Sequence, residues 1–493
     1  MKKVALLFIN VILLLSLVGC SKYKSKDDIN DNFNRNSNYE DDGNKDTKPS
    51  EPTSKPIYSK EDNEIIDDDV INIWSLNGDF TKVINKFIEL HPDFAYEIQI
   101  TDLSNANFSY DYALYDTLVN GTKTFGLDVP DIYPVEMSYA YRYTQGEAYQ
   151  YAADYKDLAI DTDELIAKAS IPQYYIDLCT SPLGKLIGLG YDNTAGAFIY
   201  RRSIARDVWG TDDPSAIEAI IGPGWESFFK AAEDLKAKNY GICSGIFDIW
   251  HLVENSADQG WLVDGKPYID PKREKFLDYA KKLKDNEYTN NTMQWSEEWF
   301  LDMRAGGEKD ILGFFGPSWL VNYIIAPYSE LEAPYIELEA TGEGTYGDWA
   351  ICNPPVGFFW GGTVILAHKD TKHKEAVGEI IKWLTLDTTE TGFQYLWASN
   401  KDAFLDIKGV PSSATVTRDL YASTDFLGGQ DMFEVYASAG GLTRGDNLSP
   451  YDESINGFWR NEVYEYINGN KSREEAIADF KKQVDKYLDM MSE

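Results

Sequence analysis

Hydrophobic positions in this chain change period along its length, and the changes mark its elements. Val70 to Trp74 is a short alternating apolar run, the pattern of a strand. Asn77-Gly78-Asp79 follows as a turn, with Asp79 placed to cap a helix over Phe80 to Leu90 whose Val83, Ile84, Phe87 and Ile88 share one face. Pro92 stops that helix, and Ala95 to Ile100 reads as a second strand. Strand, helix and strand within roughly 30 residues form a βαβ unit, which predicts a parallel sheet with helices on its faces.

The alternation resumes downstream. Val129 to Pro134 reads as a short strand running into a loop, and Leu183 to Leu189 and Gly196 to Tyr200 as two further strands around Gly190-Tyr191-Asp192-Asn193-Thr194. Trp225 to Lys238 is an amphipathic helix with Phe228, Phe229, Ala232 and Leu235 inward. Gly361-Gly362 precedes a strand over Thr363 to Ala367, and a helix over Lys374 to Leu384 follows. The last element opens on Ser472 with Glu475 three residues on, a capping box, and buries Ile477, Phe480, Val484, Tyr487 and Leu488. Strands alternating with helices, without internal repeats, predict an α/β protein of two lobes.

The first 69 residues follow other rules. Met1-Lys2-Lys3 leads into an apolar run from Val4 to Val18, the length of a signal-peptide core but short of a bilayer span. It ends in Leu17-Val18-Gly19-Cys20, which resembles the bacterial lipobox, so residues 1–19 are expected to be removed and Cys20 lipidated. Acyl chains on Cys20 would then hold the protein on the outer face of the cell membrane. Residues 21–69 are Asp, Asn, Lys, Ser, Glu and Pro with little to bury, the composition of a disordered tether with a reach on the order of 40 Å. Asn38 to Gly43 faintly resembles a calcium loop, but Pro49 stands where the bidentate glutamate belongs.

About 420 residues remain, enough for two cores. The 81 acidic and 46 basic residues give a net charge of −35, which disfavours nucleic acid as a partner. Besides Cys20, the cysteines are Cys179, Cys243 and Cys352, an odd number without a C-x-x-C, so buried free thiols are expected rather than a disulfide framework. His91, His251, His368 and His373 form no H-E-x-x-H, so neither a metal nor another cofactor is expected. There is no G-x-S-x-G and no Walker A. Gly342 to Gly347 matches G-x-G-x-x-G but follows a polar stretch and precedes no helix, so it reads as a loop.

Several segments stand in a telling order: Ile71 to Trp74 with His91-Pro92, Pro130-Asp131-Ile132 with Asp154 to Leu158, Gly184 to Leu189, Ala197 to Arg202, Gly224 to Phe228, Gly316-Pro317-Ser318-Trp319, and Gly361-Gly362 with Lys372 to Ala376. Together they resemble the extracellular solute-binding proteins of ABC importers, the maltodextrin-binding type (family 1). The motif at Trp319 carries one extra residue, and the stretch between Asp248 and Asp310 departs from the family's pattern. The resemblance implies a periplasmic-binding-protein-like fold: two lobes, each a mostly parallel sheet flanked by helices, joined by three crossings near Asp192, Gly361 and Gly409. Residues 70–192 with 361–409 would form one lobe, and 193–360 with 410–493 the other.

By the same resemblance the ligand lies between the lobes and is a carbohydrate. The chain has 13 Trp and 33 Tyr, and aromatic rings suit the C–H faces of sugars while carboxylates and amides suit the hydroxyls. Asn77 and Asp79 follow the first strand at the carboxyl end, where open α/β sheets bind ligands, although Asp79 serves equally as a helix cap. Tyr133 and Glu136 follow Pro130-Asp131-Ile132, where the family places an aromatic and an acidic contact. Tyr191, Asp192 and Asn193 border the first crossing, facing the cleft or building the hinge. Trp319 matches the family's stacking tryptophan, Trp360 and Gly361 stand at the second crossing, and Trp250 and Trp261 flank the unmatched stretch. The expected mechanism is closure of a monomer over its ligand and delivery to the transmembrane subunits of an ABC permease, with no chemistry. A tethered glycoside hydrolase, a sensor or adhesin partner, and a binder of peptides or cationic small molecules are the competing readings.

Overall fold

The computed structural model describes residues 70–104, 110–123, 126–330, 344–400, 405 and 409–492. The signal peptide, Cys20, the tether and residues 342–343 of the glycine-rich loop lie outside these; residues 344–348 form a turn before a strand. Among the described residues no helix is long and apolar enough to cross a membrane.

Among the described residues eleven strands build two mixed sheets and a small hairpin. In chain order they are β1 (Val70–Ser75), β2 (Glu97–Asp102), β3 (Ile132–Glu136), β4 (Gly188–Gly190), β5 (Ala197–Arg201), β6 (Gly241–Cys243), β7 (Leu262–Val263), β8 (Lys266–Pro267), β9 (Ile311–Gly316), β10 (Trp349–Cys352) and β11 (Thr363–Ala367). The first sheet has the order β2-β1-β3-β11-β4, the second β10-β5-β9-β6, and β7 and β8 form the hairpin.

The expected βαβ unit is present: β1 and β2 run parallel across the helix Gly78–Leu90. Its cap is Asn77, whose Oδ1 accepts the Phe80 N–H at 2.9 Å, while Asp79 lies inside the first turn and pairs with Lys82. This corrects the reading of Asp79 as the cap. The terminal helix Arg473–Ser492 has its capping box: Ser472 Oγ accepts the Glu475 N–H at 3.2 Å and Glu475 Oε2 accepts the Ser472 N–H at 2.8 Å.

In each sheet every strand but one runs the same way, as expected of a mostly parallel sheet, and the exceptions are β11 and β5. β1 is parallel to β2 and β3, but β11 runs antiparallel to β3 and β4; β6 and β9 are parallel, but β5 runs antiparallel to β9 and β10. Direction follows from where the chain enters. β5 and β11 begin as the chain arrives from the other sheet, so they run away from the junction, whereas β3, β4, β9 and β10 end there. β4 is also shorter than the apolar run Leu183 to Leu189 suggests. Gly184 turns the chain at φ +71°, its N–H bonding Ser181 O at 2.8 Å, and Leu186 pairs back to Thr180, leaving three residues for the sheet. In β3, Pro134 has no N–H to give, and the β1 ladder stops at Ile73↔Ile132.

Strand alternation sorts the cores. Ala197 and Ile199 of β5 and Trp349 and Ile351 of β10 face one side of the second sheet, Phe198, Tyr200, Ala350 and Cys352 the other, so a separate core lies on each face. The first sheet has its own core around Ile71, Ile73, Val364 and Ile365. Cys179 belongs to that core and Cys243 and Cys352 to the second sheet's, all three free and buried.

Three segments cross between the sheets and lie side by side. The first, residues 191–196, is central. Asn193 N–H bonds Val410 O at 2.7 Å and Ser412 N–H bonds Tyr191 O at 2.9 Å, which ties it to the third crossing. Gly196 N–H bonds Phe358 O at 2.8 Å and Trp360 N–H bonds Thr194 O at 3.1 Å, which ties it to the second. At Gly196 an added Cβ would lie 1.9 Å from Phe358 Cζ. Gly196→Ala is therefore expected to cost about 1–3 kcal/mol in urea denaturation, by overpacking where the crossings touch.

Candidate functional site

The crossings bring the ends of both sheets together, and most of the singled-out residues meet there. Glu136 ends β3 and caps the helix Met137–Thr144, its Oε2 accepting the Ser138 N–H at 2.8 Å. Gly361 and Gly362, on the second crossing, have φ of +66° and +112°, conformations glycine adopts freely. A Cβ added at Gly361 would lie 3.4 Å from Trp319 Nε1 and 3.5 Å from Glu136 Oε1; one at Gly362 would lie 3.4 Å from Asp192 Oδ2 and 2.4 Å from Thr194 Cγ2. The positive φ at both positions and the close Thr194 methyl at Gly362 call for glycine, and two carboxylates and an indole converge on this strip.

Trp319 follows β9, and its Nε1–H donates to Trp360 O at 2.9 Å. The two indoles cross edge to face at 70° with centroids 5.0 Å apart. Behind Trp360, His251 stacks at 4.7 Å, and its Nδ1 lies 3.2 Å from Glu254 Oε2. Burial pushes the Glu254 carboxyl up, but the bond and charge of His251 and the charge of Arg273 outweigh it and hold the group below its ordinary range. Both Trp319 and Trp360 are half-buried, each leaving part of its ring open.

Tyr191 packs edge-on against Phe393 at 5.1 Å. Burial raises its phenol, as does the charge of Asp192; Thr363 bonds the hydroxyl, and Tyr323 and Asp79 stand close enough to add to the rise. The Asp192 backbone carbonyl accepts the Tyr175 hydroxyl at 2.6 Å, and its Oδ1 accepts the Thr363 N–H at 3.4 Å. Glu136, Asp192, Trp319, Trp360 and Gly361 thus form one group with Tyr191 beside it, while Asp79 pairs with Lys82 on its own helix. Asn77 is adjacent, its side chain committed to the helix cap.

Three residues are corrected to core positions. Tyr133 is fully buried in β3 because alternation turns it into the first sheet's interior while Glu136 ends the strand at the junction. Trp250 begins the helix Trp250–Ser256 facing inward, its ring 5.1 Å from Phe276, and it is His251, one residue on, that faces Trp360. Trp261 is likewise buried, donating to Asn456 Oδ1 at 2.7 Å. Sequence reasoning missed Trp295, His251, Tyr323, Gly362 and Thr363. Gly362 and Thr363 adjoin a residue already marked, whereas Trp295 and His251 sit in the unmatched stretch after Asp248.

Burial pushes Glu136 up to about 7, the Ser138 bonds opposing it and the charges of Glu453 and Asp192 adding to it. Burial likewise raises Asp192 to about 6 against the bonds from Thr363 and Tyr175. Raised folded-state values mean that the native protein binds more protons than the unfolded chain between about pH 4 and about pH 7. The contribution of these two groups to stability is therefore greatest in acid and is lost as pH rises through that window. Calorimetry should show Glu136→Gln melting with a smaller loss between about pH 5 and about pH 8 than the wild type.

The family model for bacterial extracellular solute-binding proteins matches residues 139–431. No curated protein matches the sequence. Among solved structures, an extracellular solute-binding protein of family 1 aligns with a TM-score of 0.67 at 18% identity, over 85% of this chain and 99% of that one. The galacto-N-biose/lacto-N-biose I-binding protein of a Bifidobacterium longum ABC transporter aligns with a TM-score of 0.60 at 15% identity, over 87% and 99%. The sugar-binding protein MalE of Xanthomonas citri aligns with a TM-score of 0.60 at 13% identity, over 86% and 98%. The chain has the two-lobed fold of these proteins, as the sequence led us to expect.

Proposed function

Because the chain belongs to the bacterial extracellular solute-binding protein family, we propose that it captures a carbohydrate, an oligosaccharide, between two lobes and delivers it to an ABC import permease. The observation that carries this reading is the strip at Gly361-Gly362, where crossed indoles stand beside two carboxylates at the junction of the sheets. Trp319 and Trp360 offer apolar faces for the C–H face of a pyranose, and Glu136 and Asp192 accept hydroxyl hydrogens. The ligand of the Bifidobacterium relative, lacto-N-biose, is a neutral disaccharide of the kind such a strip suits.

The lobes in this reading are residues 70–192 with 361–409, and 193–360 with 410–493. Glu136 comes from the first and Trp319 from the second, so a ligand touching both is held more tightly when they close, and its binding energy draws the lobes together. The protein works outside the cytoplasm, as its family does. The finer placement is part of the proposal: a monomer held on the membrane by acyl chains on Cys20 behind a flexible tether. The binding protein performs no hydrolysis; its work is recognition and release.

Thermal-shift screening against neutral di- and trisaccharides tests the reading, because a ligand bound by the folded state raises its melting temperature. We expect maltose, cellobiose or lacto-N-biose to stabilise the protein, with no new reducing ends released. Stabilisation by spermidine or peptides alone, or catalytic release of reducing ends, would reject it. Trp319→Ala is expected to weaken saccharide binding by about tenfold or more while the far-UV circular dichroism stays unchanged. Cys20→Ser should move the protein from the membrane fraction to the medium or the soluble fraction; retention on membranes counts against the anchor.

A further inference from the structure

Trp295 stands in the stretch between β6 and β9, where the sequence matches no family motif, and its backbone is in the left-handed region with φ +68°. Nine non-glycine residues have a positive φ among the described residues, and Trp295 is the only aromatic one; the others are Ala, Ser, Asn, Asp or Glu. A bulky side chain is strained there because its Cβ crowds the neighbouring carbonyl. Strain of this kind persists only where the surrounding structure over-determines it, and it gathers at sites that use it.

Here the strained backbone aims a ring. The Trp295 indole lies within 7° of parallel to Trp319, with centroids 6.4 Å apart, and meets Trp360 at 67° and 5.9 Å. Trp299 supports it at 5.3 Å, and Ser296 accepts the Trp299 N–H at 3.3 Å, fixing the chain where the loop becomes the helix Glu297–Asp302. The result is two parallel indoles with a third across them. Trp295 is half-buried, so part of its surface remains open.

We propose that Trp295 is a ligand-binding residue: a second stacking platform, parallel to Trp319, that engages a pyranose ring of the bound saccharide. The proposal rests on the carbohydrate reading of the site. A pyranose carries C–H groups on its faces and hydroxyls at its rim, so a half-buried indole serves a face while Glu136 and Asp192 serve the rim. The left-handed turn at Trp295 holds the second ring in that plane.

The test combines calorimetric titration with whichever of maltose, cellobiose and lacto-N-biose binds the wild type, and thermal melts without sugar. Trp295→Ala and Trp295→Gly should each weaken binding by about tenfold or more, and Trp295→Tyr, which restores a flat ring, should return it to within about threefold. Without sugar, Trp295→Gly should melt about 1–2 °C above Trp295→Ala, since glycine accepts the left-handed backbone without strain. Undiminished affinity in the Ala and Gly variants overturns the proposal alone. A loss that Tyr does not recover also overturns it, because the defect then lies in the loop. If none of the three sugars binds the wild type, the carbohydrate reading falls and this proposal with it.

Discussion

The segment from Tyr191 to Gly196 is the constraint on which the rest of the molecule depends. It is one of three links between the sheets and, among the described residues, the only one bonded to both of the others. Its backbone must satisfy donors and acceptors on two sides while the chain leaves β4 and enters β5. That requirement fixes strand directions, because β5 and β11 start at the junction and must run away from it. It also fixes chemistry, because strand ends and crossings collect the polar groups that a sheet interior excludes.

Recognition and movement consequently share atoms. Asp192 belongs to the central crossing and faces Gly362 on the second, so a group bonded to its carboxylate touches the link itself. Gly361 sits between a carboxylate that ends a strand of the first sheet and an indole that follows a strand of the second. A molecule lodged on this strip contacts both halves at their pivot, where small rotations produce large displacements at the rim.

Much of this was legible in the sequence. The capping box at Ser472 and Glu475 is a local code and appears as written, and so does β11, whose apolar run is bounded by Gly361-Gly362. Errors arose where a local signal had two outlets. Asn77 and Asp79 are both good caps, and the choice between them was made by where β1 ended. The run from Leu183 to Leu189 has strand composition, but Gly184 turns it back on Thr180 first. Tyr133 and Trp250 were aromatic residues near the right place whose side chains the strand and helix periods turn inward. Trp295 could not be found, because a left-handed conformation at a tryptophan carries no sequence signature and its partners lie in distant segments.

The three thiols carry a different consequence. Cys179 is sealed in one core and Cys243 and Cys352 in another, and burial pushes all three thiols up, the carboxylates Asp248 and Asp302 adding to this at Cys243 and Glu218 at Cys352. Protonated and out of contact with solvent, they are poor nucleophiles and poor targets for oxidants. These three side chains therefore keep one covalent form in reducing and oxidising surroundings alike. A change of redox potential leaves these buried thiols, and the cores around them, unaltered.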